Sequence, residues 1–510
     1  MILSDPRGRS AAPRLNTRAT IDELLHRAAV RRPDELALID APNRADSMAR
    51  RLTYRQADRM VSAIAGRLRR LGLHTDAIVA IQMANTVENV LTVLGVLRAG
   101  LIPMPLPLLW RRTEMVAALS RVGATALIVS GRIGTTDHYD LAMHVAAEIF
   151  PIRYVCGFGT NAPDGLVPFD DLFTTGKLDP LPAWDEERTS EPAAHVALVT
   201  WDACADGLVP VARSHAEVIA GGLAVMLESR LAQDALLLST LTLSSFANLA
   251  IAVMPWLLVG GTLVLHHPFD PEVYLSQLTS MDFDTVLLSG PLAAQLADNA
   301  RAMGRSPNVI ALWRNPERIG RALPWRDNKA RMTDVLAFGE IGLIAACRGT
   351  GGKPAAIPFG IVTAPRMAKG SIAIAEIAPT ATGTVALRGP MVPRAPFPPG
   401  AERSGLPYFK VSPSGFVDTG YACQGDVPAM VVTGPPPGMV GVGGYRFVLA
   451  DLQDLVSRAG SQHASVAVLP DALAGHRLSG IADNPQAVQA ALAKLGINPL
   501  VVGAFRERGA

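Results

Sequence analysis

The sequence predicts an α/β protein with a large N-terminal domain, residues 1–433, and a small α+β C-terminal domain, residues 434–510. Three observations lead there. Over residues 20–130, short apolar runs of strand length alternate with longer helical periods, the pattern that builds parallel sheets. From Val411 to Val456 the chain reads instead as short strands and tight turns. The large domain therefore ends in a β-rich subdomain, about 366–433, after α/β subdomains of about 20–190 and 191–365. Finally, Pro435-Pro436-Pro437 stands directly before Gly438, Gly441, Gly443 and Gly444. Three fixed φ angles beside residues that permit positive φ make a join between two bodies.

Each element follows from local pattern. Residues 1–19 read as a flexible lead without the apolar core of a signal peptide. Thr20 and Glu23 suit the start of a helix. Leu36 to Ile39 is a short buried strand, and Arg51 to Asp58 opens a long amphipathic helix ending near Leu73. Ala77 to Gln82 is a strand, Asn85 to Ala99 a helix closed by Gly100, Leu101 to Leu106 an extended piece and Ala126 to Val129 a strand. Gly157 to Ala194, rich in Pro, Asp, Gly and Thr, reads as a loop, and Val196 to Val199 as the next strand. Ala235 to Leu265 is long and apolar enough to raise a membrane helix. Ser, Thr and Asn punctuate its first half, and Pro255 and Gly260-Gly261 interrupt its second, so strand, helix and strand is the expectation.

Composition narrows the function classes. A net charge of +2 with scattered arginines gives no basic block, so nucleic acid is not an expected partner. Four cysteines, Cys156, Cys204, Cys347 and Cys423, are far apart and form no C-x-x-C, which fits free thiols in a reducing, cytoplasmic setting. His215, His266 and His267 show no metal-ligand spacing, so no metal is expected.

The chain also resembles the adenylate-forming superfamily of acyl-CoA synthetases, luciferases and peptide-synthetase adenylation domains. The resemblance covers about residues 20–500. It is dense in Arg51 to Asp58, Ala77 to Gln82 and the Gly100 to Leu106 connection, and it weakens at the motifs that carry chemistry. It implies a phosphate loop after the Val196 strand, of the form T-S-G-T-T-G-x-P-K-G-V before a Ser/Thr-His pair. Backbone N–H groups, hydroxyls and a lysine would cradle the triphosphate there. This sequence reads Thr200-Trp201-Asp202-Ala203-Cys204-Ala205-Asp206-Gly207-Leu208-Val209-Pro210-Val211-Ala212-Arg213-Ser214-His215. Hydroxyls are lost, the lysine position is valine, and Asp202 and Asp206 add repulsion toward an anion. Thr200 and Gly207 are the nucleotide-binding residues left, and Arg213 is either a replacement cation or a surface arginine.

At Y-G-x-T-E, whose ring faces adenine and whose glutamate helps hold magnesium, the chain has Phe338-Gly339-Glu340-Ile341-Gly342. Phe338 and Gly339 still match. Glu340, two residues early, is either a displaced magnesium ligand or a solvated loop carboxylate. At T-G-D, Thr419 and Gly420 remain, Tyr421 replaces the ribose-binding acid, and Asp418 stands on the other side of the pair. Pro437-Gly438 replaces the Lys-Asp hinge pair, restricting rotation of the small domain. Ala464 to Asp471 and Pro485 to Leu495 resemble the small domain's strand and helix, but no lysine follows Lys494, so the expectation is a truncated small domain.

By the same resemblance Gly443-Gly444-Tyr445 matches a loop near coenzyme A, with a plain hairpin turn as the alternative. Ser244, Phe246, Ser289 and Gly290 fall where an acyl pocket would be lined, or in ordinary core. Each lost charge-stabilising group costs on the order of 3 kcal/mol of barrier, and the losses act together. The expectation is a catalytically degenerate acyl-CoA synthetase-like protein that binds an acyl group, coenzyme A, a nucleotide or a protein partner, including a second copy of itself. The alternative is an active carboxylate–CoA ligase using Mg-ATP and coenzyme A, with Arg213, Glu340 and Asp418 as relocated catalytic groups.

Overall fold

A computed structural model of the protein describes residues 1–3, 15–42, 50–159, 161–173, 190–302, 304–326, 329–364, 372–424, 429–459 and 463–506. Two parallel-stranded sheets form the large α/β part. A five-stranded sheet runs through Ile102–Pro105, Ile78–Gln82, Ala126–Ser130, Tyr154–Phe158 and Val167–Pro168. An eight-stranded sheet is parallel through its centre, where Met332–Phe338, Asn308–Trp313, Thr285–Ser289, Leu236–Ser239, Thr262–Leu265 and Leu36–Ile39 lie side by side. Helices cover these sheets, so the strands are apolar on both faces, as in Ile78–Gln82 where every residue is buried.

A five-stranded antiparallel sheet over residues 360–434 follows. A four-stranded antiparallel sheet then begins at Met439. It closes with the helices Leu449–Ala459 and Pro485–Lys494 over a separate core containing Val440, Val456, Leu478, Leu492 and Phe505.

Three local expectations change. The first helix starts at Ile21, but Thr20 makes no side-chain cap there. Arg51–Thr53 is a short strand, and the long helix begins at Tyr54 behind a full capping box of Thr53 and Gln56. The segment from Gly157 is not wholly loop. Gly157 lies within the strand Tyr154–Phe158, Val167–Pro168 pairs beside it, and Phe158 packs edge-on to Phe169; residues 174–189 lie outside the described residues.

In the long apolar run, helical backbone spans residues 246–259 between two strands. Pro255 does not break it. A π-turn, Leu249–Val253, precedes the proline and absorbs the missing backbone donor, and Gly260 ends the helix at φ +69°. Among the described residues no helix is long and apolar enough to cross a membrane.

Candidate functional site

A cleft of about 640 Å³ opens between the four-stranded sheet and the C-terminal ends of the central parallel strands. This is where an open α/β sheet leaves a crevice. Its far wall begins with Trp110 and Trp201, whose rings lie 6.1 Å apart.

The segment matched to a phosphate loop is a hairpin. Val196–Cys204 and Gly207–Ser214 pair antiparallel down to Cys204 opposite Gly207, leaving only Ala205-Asp206 as the turn. Successive groups in a pleated strand point to opposite sides, whereas an anion nest needs successive N–H groups to converge.

Asp202 on this hairpin is held from three directions. Its carboxylate pairs with Arg446 of the small sheet and accepts from the backbone N–H groups of Glu340 at 2.7 Å and Ala203 at 2.7 Å. Arg446 is largely withdrawn from solvent, and desolvation lowers its pKa to about 10. Gly339, at φ +58°, makes the pair possible, because a Cβ there would overlap both Arg446 Nη2 and Asp202 Oδ2. The negative charge read as repulsion toward phosphate is thus already paired.

Burial corrects the surface readings of two other residues. Arg213 is fully buried: it donates to the Glu340 carbonyl and, at 3.3 Å, to the Met391 carbonyl, and lies 3.8 Å over the Phe246 ring. Desolvation lowers its pKa to about 10. It is not among the residues lining the cleft.

Glu340 is 4% exposed and sits in the turn between strands Met332–Phe338 and Gly342–Cys347, not within a strand. Its carboxylate accepts from Phe246 N–H at 2.8 Å, and desolvation raises its pKa, opposed by Arg314 and Arg213. It reaches the cleft wall from inside the protein.

Of the nucleotide-matched residues, Gly207 and Gly339 line the cleft. Thr200 is buried behind it. Phe338 is also buried, edge-on to Tyr421 at 5.6 Å, and burial pushes the Tyr421 phenol up. Thr419 donates to the Val385 carbonyl at 2.7 Å, and Gly420 turns at φ +74° against Pro436. Asp418 is exposed, away from the cleft, accepting from Gly420 N–H at 2.8 Å.

Gly443, Gly444 and Tyr445 line the cleft, and the Tyr445 hydroxyl accepts from Leu109 N–H at 3.1 Å. Ser244 and Ser289 line it too, while Phe246 lies under Arg213 and Gly290 packs against Trp313.

Sequence reading missed Arg446 and Arg314. Arg446 directly follows the singled-out Gly443-Gly444-Tyr445. Arg314 directly follows the apolar strand Asn308–Trp313, and a charge closing a buried strand was the available signal.

Known proteins resemble this chain in part of its sequence and in its fold. Residues 25–170 match the family described as AMP-binding enzyme. The chain is 28% identical over 264 residues to a 2-hydroxy-7-methoxy-5-methyl-1-naphthoate–CoA ligase of Streptomyces carzinostaticus, covering 49% of this chain and 44% of the ligase. It is similar to apo MbtA of Mycobacterium smegmatis, with TM-score 0.64, 20% identity, and 94% and 89% of the two chains covered. It is likewise similar to the amide bond synthetase McbA of Marinactinospora thermotolerans, with TM-score 0.67, 16% identity, and 95% and 94% covered. The AMP-binding match covers residues 25–170, and the chain as a whole has the adenylate-forming fold. The match spans less than half the length of the curated ligase, while the superfamily's fold extends over nearly the whole chain.

Proposed function

We propose that this protein of adenylate-forming fold binds a carboxylate ligand without adenylating it. One observation carries the reading: a two-residue-turn hairpin, bolted to the small sheet through Asp202 and Arg446, stands where the resemblance puts the phosphate loop. A magnesium triphosphate does not fit there. The strands offer no converging amides, no lysine is present, and Arg446 is engaged with Asp202. None of the three candidate replacements restores the lost positive charge at the hairpin: Glu340 lines the cleft but is itself an anion, with its carboxylate accepting from Phe246 N–H. Arg213 is turned into the core and Asp418 is on the outer surface. The cleft itself remains open and keeps polar groups at its floor.

An active carboxylate–CoA ligase is the second reading, favoured by Gly443-Gly444-Tyr445 lining the cleft. Two measurements separate the readings. Calorimetry with Mg·ATP should show no binding tighter than the millimolar range, and carboxylates should release no pyrophosphate from ATP. Micromolar ATP binding or pyrophosphate release establishes the ligase instead.

A further inference from the structure

The polar end of the cleft is built from the C-terminal ends of three adjacent parallel strands. After Leu236–Ser239 come Thr242 and Ser244; Thr285–Ser289 ends in Ser289; after Asn308–Trp313 comes Arg314. The register holds these ends together, with Ser239 opposite Leu287 and Ser289 opposite Leu312.

Arg314 is positioned from behind. Its Nη2 donates to Ser245 Oγ and to Asn248 Oδ1 at 3.2 Å, and Asn248 is itself tied to the Thr242 carbonyl. Gly444, at φ +86°, leaves room for the arginine stem, because a Cβ there would lie 2.9 Å from Arg314 Cδ. Among the described residues Arg314 is in no ion pair. Glu340 acts on it electrostatically without closing to ion-pair distance. The Thr242, Ser244 and Ser289 hydroxyls are half-buried, line the cleft, and make no hydrogen bond within the described residues.

We infer that this end of the cleft holds a small polyhydroxylated carboxylate, its anion on Arg314 and its hydroxyls on Thr242, Ser244 and Ser289. The inference rests on the carboxylate-binding reading above and names its ligand class. A guanidinium fixed at one nitrogen presents its remaining N–H groups as a fork, which suits a planar carboxylate. Three unpartnered hydroxyls beside it favour a ligand that returns hydrogen bonds. An aliphatic chain would strip their water and leave them unsatisfied. A site built on hydrogen bonds rejects an analogue lacking the hydroxyl far more strongly than an apolar pocket rejects a change of one methylene. An acyl pocket for fatty chains would place apolar side chains at these three positions.

The test is calorimetry on the full chain, without ATP, using quinate, cyclohexanecarboxylate, methyl quinate and octanoate. Quinate should bind at least about tenfold tighter than cyclohexanecarboxylate, which lacks the hydroxyls, and than methyl quinate, which lacks the charge. Arg314→Gln should weaken quinate by at least about tenfold. The double variant S244A/S289A should weaken quinate without weakening cyclohexanecarboxylate, closing the gap between the two.

Octanoate or cyclohexanecarboxylate binding as tightly as quinate overturns the ligand class, and so does methyl quinate matching quinate. Absence of quinate binding into the millimolar range also overturns it. The wild-type ligand series decides even if a variant fails to fold. Pyrophosphate release when Mg·ATP is added with quinate would overturn the non-adenylating reading and leave the ligand class standing.

Discussion

Two residues set the chemical character of the cleft's surroundings. His138 is 1% exposed, with Nδ1 at 3.0 Å from Gln82 Oε1, and Gln82 in turn donates to the Pro107 and Trp110 carbonyls at 3.0 Å each. Burial, helped by Arg111, lowers the imidazole pKa to about 4. The sign follows from which state takes the proton. Above the unfolded pKa of about 6.5, both states are neutral and nothing is lost. As pH falls from 6.5 toward 4, the unfolded chain protonates and the native histidine does not, so stability drops. The full loss is about 3 kcal/mol, reached below both pKa values. His138→Asn keeps a donor toward Gln82 and removes the titration. Urea midpoints should therefore move in the variant's favour by about 3 kcal/mol between pH 7 and pH 4. Parallel pH profiles for the two proteins would contradict this. Gly339→Ala tests the other residue. Alanine at positive φ costs about 1 kcal/mol, and its methyl must also displace the Arg446–Asp202 pair. The expected loss of melting temperature exceeds that of Gly360→Ala, where φ is +102° but the space beside the glycine is open.

At the scale of elements, the hairpin and the small sheet act through one buried ion pair. Arg446 and Asp202 have side-chain exposures of 14% and 12%, so removing one partner leaves a poorly solvated charge behind. Arg446→Met should cost about 3–5 kcal/mol, and Asp202→Asn a comparable amount. The double variant should cost less than the sum, because it removes both charges. Denaturation across the four proteins gives the coupling, and additive losses would mean that the pair does not join these elements. The same elements show what the sequence discloses and what it conceals. The parallel strands were legible because each is a short apolar run between turn residues: Leu36–Ile39 and Ala126–Ser130 fall within a residue of where pattern puts them. The hairpin was half legible. Val196–Val199 announced a strand, but Asp202, Ala203 and Cys204 read as loop because their pairing with Val209, Leu208 and Gly207 is not visible in the pattern of one strand. Arg213 and Glu340 read as surface groups for the same reason. A single charge is assumed solvated until a partner is visible, and their partners, Phe246 and the Met391 carbonyl, are distant in the chain. Thr242, Ser244 and Ser289 were present in the sequence, but only strand register shows that they converge.

For the whole molecule, the decisive matter is whether the small domain turns relative to the large one. It is held at separated points. Near the hairpin, Arg446 grips Asp202 and Tyr445 meets Leu109. At the other end, Thr113 Oγ1 donates to the Leu495 carbonyl at 2.7 Å, Thr113 N–H to the Gly496 carbonyl at 3.2 Å, and Asn498 N–H to Glu114 Oε1 at 3.0 Å. Between them Arg318 donates to the Asp471 carbonyl at 3.0 Å, and Gly441 and Gly475 close directly onto Asn315. Rotation would break all of these at once, around a joint stiffened by Pro435-Pro436-Pro437. No single contact need be strong, since contacts sharing one rigid body are lost together. The expected behaviour is one orientation in solution. Spin labels at Phe150 and Ile481, both exposed, report it in a background where Cys204, Cys347 and Cys423 are serine. The distance distribution should be a single narrow peak, unmoved by Mg·ATP or coenzyme A. Two resolved distances in the unmodified pair, or a shift on adding nucleotide, would show a domain that still swings, and a chain built to alternate between two reactions.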